Sequence, residues 1–229
     1  MALILQLETS TSSCSVALAF NGHTIALREL NERNAHAGNL TLLISEVMNV
    51  AGKKMEDLTA VAVSMGPGSY TGLRIGVSTA KGLCYALDIP LIAINTLQAM
   101  ANGFKGLNVS DAAFFCPMID ARRMEVYTAI YNQQLEEILP VAARIIDAES
   151  FSGLLENQEI IFFGDGAMKC SDVLAGSPNA RFSADFLNSA KDFTSLAYEK
   201  FSEGKFEDVA YFEPFYLKDF LVTQPKPLK

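Results

Sequence analysis

The stretch "SMGPGSYTGLRIG", Ser64 to Gly76, carries four glycines and a proline directly ahead of an apolar periodic segment. Glycines before a helix often cradle a phosphate, because free backbone N–H groups point out of the helix start. Two phosphate-binding patterns fail here. A P-loop needs Lys after its last glycine, and Gly72 is followed by Leu73. The dinucleotide fingerprint GxGxxG fails because Gly66, Gly68 and Gly72 are spaced one residue too long. Ser69 reads as an N-cap, and a helix is predicted over 70–87. Inside it, Gly72, Gly76 and Ala80 recur every fourth residue. Each interior glycine costs about 1 kcal/mol relative to alanine, so roughly 2 kcal/mol must be offset by something that approaches the helix closely. Leu73, Val77, Cys84 and Leu87 form a separate apolar stripe for the chain's own core. A helix that is small or apolar on most sides is enclosed. Packing within the monomer is one reading. The sharper expectation is that this helix and the one at 36–51 form a surface for a second chain.

Outward from this loop, the first half reads strand, strand, strand, helix, strand, helix. "ALILQLE" and "CSVALAF" are strands, Asn21-Gly22 is a hairpin turn, and "HTIALREL" returns. Leu40, Leu43, Ile44, Val47 and Met48 fall on one helical face from about His36, and Gly52 stops that helix. "LTAVAVSMG" is a buried strand, and "PLIAI" a further short one. The second half repeats the order: "AAFFCPMID", "MEVYTAIYN" and "LEEILPVAARI", the last interrupted at Pro140, then a helix near 150–155 and the strand "EIIFFGDG". Helices at 167–174 and 189–204 follow. The second of these packs Phe193, Leu196, Ala197, Lys200 and Phe201 on one side. The repeat predicts an α/β protein of two βββαβα lobes, 1–105 and 106–229.

Half of the 229 residues are hydrophobic, enough for a sizeable core. The net charge of −8 argues against holding a nucleic-acid backbone unaided, since that binding rests on Lys and Arg. A partner must supply the positive surface if RNA matters. The N-terminal "MALILQLETS" lacks a basic region and a cleavage-site pattern, so it reads as a strand, and no stretch is long enough to cross a bilayer. A cytoplasmic location follows as the expectation, with the four scattered cysteines reduced.

Each half places a hairpin after an acidic residue: Glu8 in "LETSTSSCSV" and Asp120 in "IDARRMEVY". If the halves face each other, these turns meet across a cleft. Glu8, Thr9, Ser10 and Asp120 are then the candidates for a phosphate-facing site, with the acids able to hold a metal. The alternative is that the hydroxyl residues 9–12 only make a turn. "FFGDGA", Phe162 to Ala167, is either a nucleotide-side segment or a strand-to-helix turn capped by Asp165.

Taken together and in order, "LETSTSSCSVAL", "GPGSYTGLRIG" with "AKGL", "IDARRMEVY" and "EPFYL" resemble the TsaB (YeaZ) family of tRNA threonylcarbamoyladenosine biosynthesis proteins. The resemblance runs from the first strand to Leu217 and is loose over 147–205. It implies an ASKHA (actin-like/Hsp70-like) fold of two RNase H-like halves. It also implies a non-catalytic subunit that binds a homologous catalytic subunit, TsaD, together with a small ATPase, TsaE. TsaD transfers a threonylcarbamoyl group to the adenosine beside the anticodon of tRNAs reading codons that begin with A. The chain is expected to meet tRNA only through the complex and to form a homodimer alone. It is expected to bind no cofactor by itself, with ATP or ADP at a junction between subunits. The implied partner-interface residues are His36, Leu40, Leu43, Val47, Gly72, Arg74, Gly76, Ala80 and Leu83.

The catalytic paralogue binds its metal through an HxxxH pattern on a helix. This chain has only His23 and His36, on different elements, so no catalytic or metal residue is assigned. Glu8 stands where the family commonly has Asp. One extra methylene moves a carboxylate by about 1.5 Å, enough to spoil a metal–water geometry. An active ATP-dependent kinase or hydrolase of the same fold is the alternative. A protease has no Ser/His/Asp or Cys/His order to support it.

Overall fold

The computed structural model describes residues 1–31, 36–107 and 112–218, without the side chains of residues 36 and 37. Its first sheet holds β1 (Leu3–Glu8), β2 (Cys14–Phe20), β3 (His23–Leu30), β4 (Ala60–Gly66) and β5 (Leu91–Asn95), in the order β3-β2-β1-β4-β5. The β1–β2–β3 meander is antiparallel, and β4 and β5 join parallel. Asn21 and Gly22 both take positive φ, as the tight turn between β2 and β3 requires. The crossovers are α1 (His36–Val50) and α2 (Tyr70–Leu87), and α3 (Thr96–Lys105) follows β5 directly.

The second sheet repeats the plan with β6 (Phe114–Asp120), β7 (Glu125–Tyr131), β8 (Glu137–Ile145), β9 (Ile160–Phe163) and β10 (Ala180–Ser183), ordered β10-β9-β6-β7-β8. Its helices are short: α4 (Ser152–Leu155), and a 3-10 turn over Met168–Cys170 that runs into α5 (Ser171–Leu174). A 3-10 turn at Ala190–Phe193 opens α6 (Thr194–Ser202).

Alternation along β1 divides the first core. Leu3, Leu5 and Leu7 face α1 and α2, packing on Leu40, Leu43, Ile44, Val47 and Met48. Ile4 faces the other way, with Ala60, Ala62, Ile92 and Ile94, onto Phe193 and Ala197. In the second lobe Phe115, Phe163 and Tyr131 pack on Leu97, Met100 and Phe104 of α3. The lobes drawn by chain position therefore exchange helices. α6 follows the second sheet in sequence and lies on the first, while α3 follows the first and packs on the second.

Three elements differ from the sequence expectation. α3 is a full helix where none was drawn: Asn95 caps it by accepting from Leu97 N (2.9 Å) and Gln98 N (3.2 Å). β10 also adds an unpredicted edge strand. β8 is not broken at Pro140. The proline sits at a register shift on an edge strand, where no ladder N–H is required of it.

The glycine loop is gripped from both sides by its own chain. A Cβ on Gly72 would strike the Thr9 carbonyl oxygen, one on Gly76 the Thr9 hydroxyl, and one on Gly68 the Ser10 carbonyl oxygen. Thr9 Oγ1 donates to Gly72 O (2.8 Å), and Ser69 N donates to Ser10 O (2.6 Å). From the far side Phe215 N donates to Met65 O (2.7 Å), and a Cβ on Gly66 would lie 2.6 Å from Phe215 O. Gly82, in the same helix, is exposed and meets nothing. A matched pair of variants separates the two roles. Gly72→Ala is expected to lower unfolding free energy by about 2–3 kcal/mol, because the Thr9 backbone must be displaced. Gly82→Ala is expected to raise it by about 0.5–1 kcal/mol through helix propensity. Urea denaturation of both variants checks the contrast.

Candidate partner surface and the filled cleft

β1 delivers Glu8 to its C-terminal end, fully buried. Oε1 accepts from Ser10 N (2.5 Å) and Ser64 Oγ (3.0 Å). Burial raises its pKa, against the hydrogen bonds from Ser10 and Ser64. Thr9 and Ser10 are also fully buried. Asn188, from the segment ahead of α6, stands on this turn. Its Nδ2 donates to Ser10 Oγ (3.2 Å), and its Oδ1 accepts from Thr11 Oγ1 (2.7 Å). Ala190 N donates to Ser15 Oγ (2.8 Å). The hydroxyls of Thr9, Ser10 and Thr11 and the amides of Thr9, Ser10 and Ser13 are thus engaged by the chain itself, while Ser12 of the same turn is exposed.

Asp120, the matching acid of the second lobe, is half-exposed. Its carboxylate pairs with Lys169 and accepts from Arg122 N (2.8 Å). Partial burial pushes its pKa up, but Lys169 and the Arg122 amide outweigh that and hold it below the usual carboxylate value. Asp165 does not cap a helix: its Oδ1 accepts from Asp120 N (2.9 Å), tying "FFGDGA" to the β6–β7 turn. Among the described residues no hydrogen bond or ion pair joins the Glu8 turn to Asp120. Nor do three His, Cys, Asp or Glu side chains gather there as a metal site would need.

The interface expectation needs correction residue by residue. Leu40, Leu43 and Val47 are at most 5% exposed, because their face of α1 is the core face. Gly72, Gly76 and Ala80 are buried too. The close approach that Gly72 and Gly76 allow is made by Thr9 of the same chain. Arg74 is exposed, its guanidinium 5.6 Å from the Tyr70 ring centre, and Tyr70 packs on Tyr216 (4.8 Å between ring centres). Leu83 is half-buried at the rim of a groove between α1 and α2, and the side chain of His36 lies outside the described residues.

That groove holds about 480 Å³ and is lined by Ile44, Met48, Met55 and Leu83 with polar Thr41 and Ser45. Outside its lining, α1 and α2 also carry exposed apolar side chains the sequence reading passed over: Leu42 at 59% exposed, Val50 at 57% and Tyr85 at 86%. Their signal was visible as large apolar residues on the faces of α1 and α2 that the core pattern leaves polar. An apolar-lined groove between two exposed helices is a candidate docking feature.

The TsaB protein of Escherichia coli K12, a tRNA threonylcarbamoyladenosine biosynthesis protein, is 32% identical over 235 residues and 99% of both chains. The chain belongs to the TsaB family. A family model described as TsaD, tRNA N6-adenosine threonylcarbamoyltransferase, matches residues 29–220, so the chain also belongs to the wider family that TsaB shares with TsaD. The solved structure of YeaZ from Pseudomonas aeruginosa superposes with a TM-score of 0.80 at 28% identity, over 95% of this chain and all of that one. The activator of 2-hydroxyisocaproyl-CoA dehydratase from Clostridium difficile shares the fold alone, with a TM-score of 0.53 at 10% identity over 90% of this chain and 98% of that one. The architecture is the ASKHA fold, two mixed sheets with helices. No helix among the described residues is long and apolar enough to cross a membrane.

The burial map predicts how the TsaB-family helix α1 tolerates charge. Leu43→Glu is expected to cost about 3–5 kcal/mol, as an unpaired buried carboxylate does. Leu42→Glu and Tyr85→Glu should stay within about 0.5 kcal/mol of the parent. Thermal melts of the three variants at low protein concentration give the comparison.

Proposed function

We propose that this chain is a non-catalytic subunit of the machinery that threonylcarbamoylates the adenosine beside the anticodon of tRNAs reading A-starting codons. It binds and stabilises a TsaD-type catalytic subunit, joined by a TsaE-type ATPase. The observation that carries this reading is the groove between α1 and α2, lined by Ile44, Met48, Met55 and Leu83, together with exposed apolar side chains, Leu42, Val50 and Tyr85, elsewhere on the same two helices. An apolar helix pair of this kind is suited to docking against helices of a homologous partner or of a second copy. Arg74 and Leu83 lie on the same helix and remain part of the proposed contact. Its −8 charge supports the view that tRNA is held through the partner rather than by this chain. The relatives' names support the pathway.

The alternative of an independent kinase or hydrolase needs an open phosphate cleft. The turn that would build one is occupied by Asn188, which favours the subunit reading, with any nucleotide placed at a junction between subunits.

The double variant Leu42→Glu/Tyr85→Glu tests the surface. Its expected result is a folded protein whose affinity for the TsaD-type subunit from the same organism falls more than about tenfold. Modified adenosine in tRNA hydrolysates should fall in parallel, measured by nucleoside mass spectrometry. Unimpaired co-purification would reject the surface, and robust ATP turnover by the isolated chain would reject the non-catalytic role.

A further inference from the structure

The face of β1 that turns away from α1 and α2 carries, after Ile4, two polar residues side by side: Gln6 and Glu8. Both are fully buried. Gln6 Oε1 accepts from Thr194 Oγ1 (3.1 Å), and Glu8 Oε1 takes both donors described above. Gln6 Nε2 and Glu8 Oε2 are left without a partner among the described residues, although the Asn188 amide stands beside Glu8. A second carboxyl enters the same seam. Asp192, on the turn before α6, is 6% exposed, and its Oδ2 accepts from Ser189 N (3.0 Å). It presses on Gly103 of α3, where a Cβ would collide with its carboxyl group. Neither acid has an ion pair among the described residues.

An ionised carboxylate removed from water needs a cation or donors on both oxygens. Glu8 has its two close donors, Ser10 N and Ser64 Oγ, on one oxygen, and beyond them only the neutral Asn188 amide and no cation. The groups facing the pair do not supply the missing charge. Facing Glu8 are the Ser10 and Ser64 hydroxyls, Asn188, Asp192 and Cys14 of β2; burial first, and Glu8 second, push the Cys14 thiol up to about 11, so it stays neutral. Facing Asp192 are Glu8 and Glu29 of β3, both repulsive, with Lys191 as the one opposing cation among the described residues.

We propose that the seam between the β1–β2 turn and the segment 188–194 is a proton-dependent latch, tight while Glu8 and Asp192 carry protons and loosened when they ionise. Burial raises both acids, Asp192 to about 7 with the Ser189 amide and Lys191 opposing. For an acid raised in the folded state, the stabilisation is complete below the unfolded carboxylate pKa. It is lost as pH rises through the folded value. The latch therefore weakens from mildly acidic pH upward through neutrality, and it holds the segment that carries α6 against the first sheet.

The test compares the wild-type full chain with Glu8→Gln/Asp192→Asn, which mimics both neutral acids and keeps their acceptor oxygens. Across pH 5 to 8, roughly the span over which such groups lose their protons, the wild-type unfolding constant in urea should rise relative to the variant's. The rise approaches about tenfold per pH unit for each titrating group. Amide exchange over 188–194, corrected for intrinsic base catalysis, should quicken with pH in the wild type and stay flat in the variant. Parallel profiles overturn the latch. If the variant does not fold, infrared spectroscopy of the wild type at pH 7 decides. A protonated-carboxyl C=O stretch supports the proposal, and carboxylate bands alone overturn it.

Discussion

The structure turns on a backbone contact too close for any side chain. The carbonyls of Thr9 and Ser10 lie in a trough floored by Gly68, Gly72 and Gly76. Two interior glycines weaken α2 by roughly 2 kcal/mol. The return is two hydrogen bonds, a buried one from Thr9 Oγ1 to Gly72 O and one from Ser69 N to Ser10 O. That contact sets the distance between the β1–β2 turn and the start of α2. It thereby orients α2 on the sheet and, through the shared core of Val77, Ala80 and Cys84, the neighbouring α1.

The C-terminal strap closes the other side of the same loop. Glu207 bridges to Leu91 at the open edge of β5, Lys81 Nζ donates to Ala210 O (3.2 Å) and Phe212 O (2.9 Å), and Phe215 seats on Gly66. Lys218 then pairs with Glu125 of the second lobe. The "EPFYL" motif is therefore a structural clasp. Through Phe215 it holds the glycine loop, while Glu207, earlier in the same strap, pairs with the edge of β5 and Lys218, just after the motif, reaches the second lobe.

Most of the fold was legible because periodicity records burial. Leu40, Leu43, Ile44, Val47 and Met48 announced α1, and the continuous apolar run of β4 announced a strand covered on both faces. α3 escaped because it begins one residue after β5 ends, with no loop residues to punctuate it; Asn95 serves as strand end and helix cap at once. The site was less legible, for a physical reason. A stripe of small residues states that some backbone comes close, but not whose. Here the partner of Gly72 and Gly76 is Thr9, more than sixty residues earlier in the same chain, and spacing along one helix carries no trace of that. Leu42 and Tyr85 failed to register for the opposite reason: a single apolar residue on a polar helix face has no period.

α2 is consequently a helix with two distinct duties on opposite sides. Its inward side is narrow and glycine-floored, so the chain's own turn can reach it. Its opposite side carries the exposed Arg74 and Tyr85, while Leu83, farther along the glycine stripe, lines the α1 groove. Because the inner contact is fixed by backbone atoms, the outer side is presented rigidly. A rigid helix pair loses little conformational entropy on docking. The same inner contact engages Thr9 and Ser10 of the Glu8 turn, so that turn and the start of α2 are built as one unit.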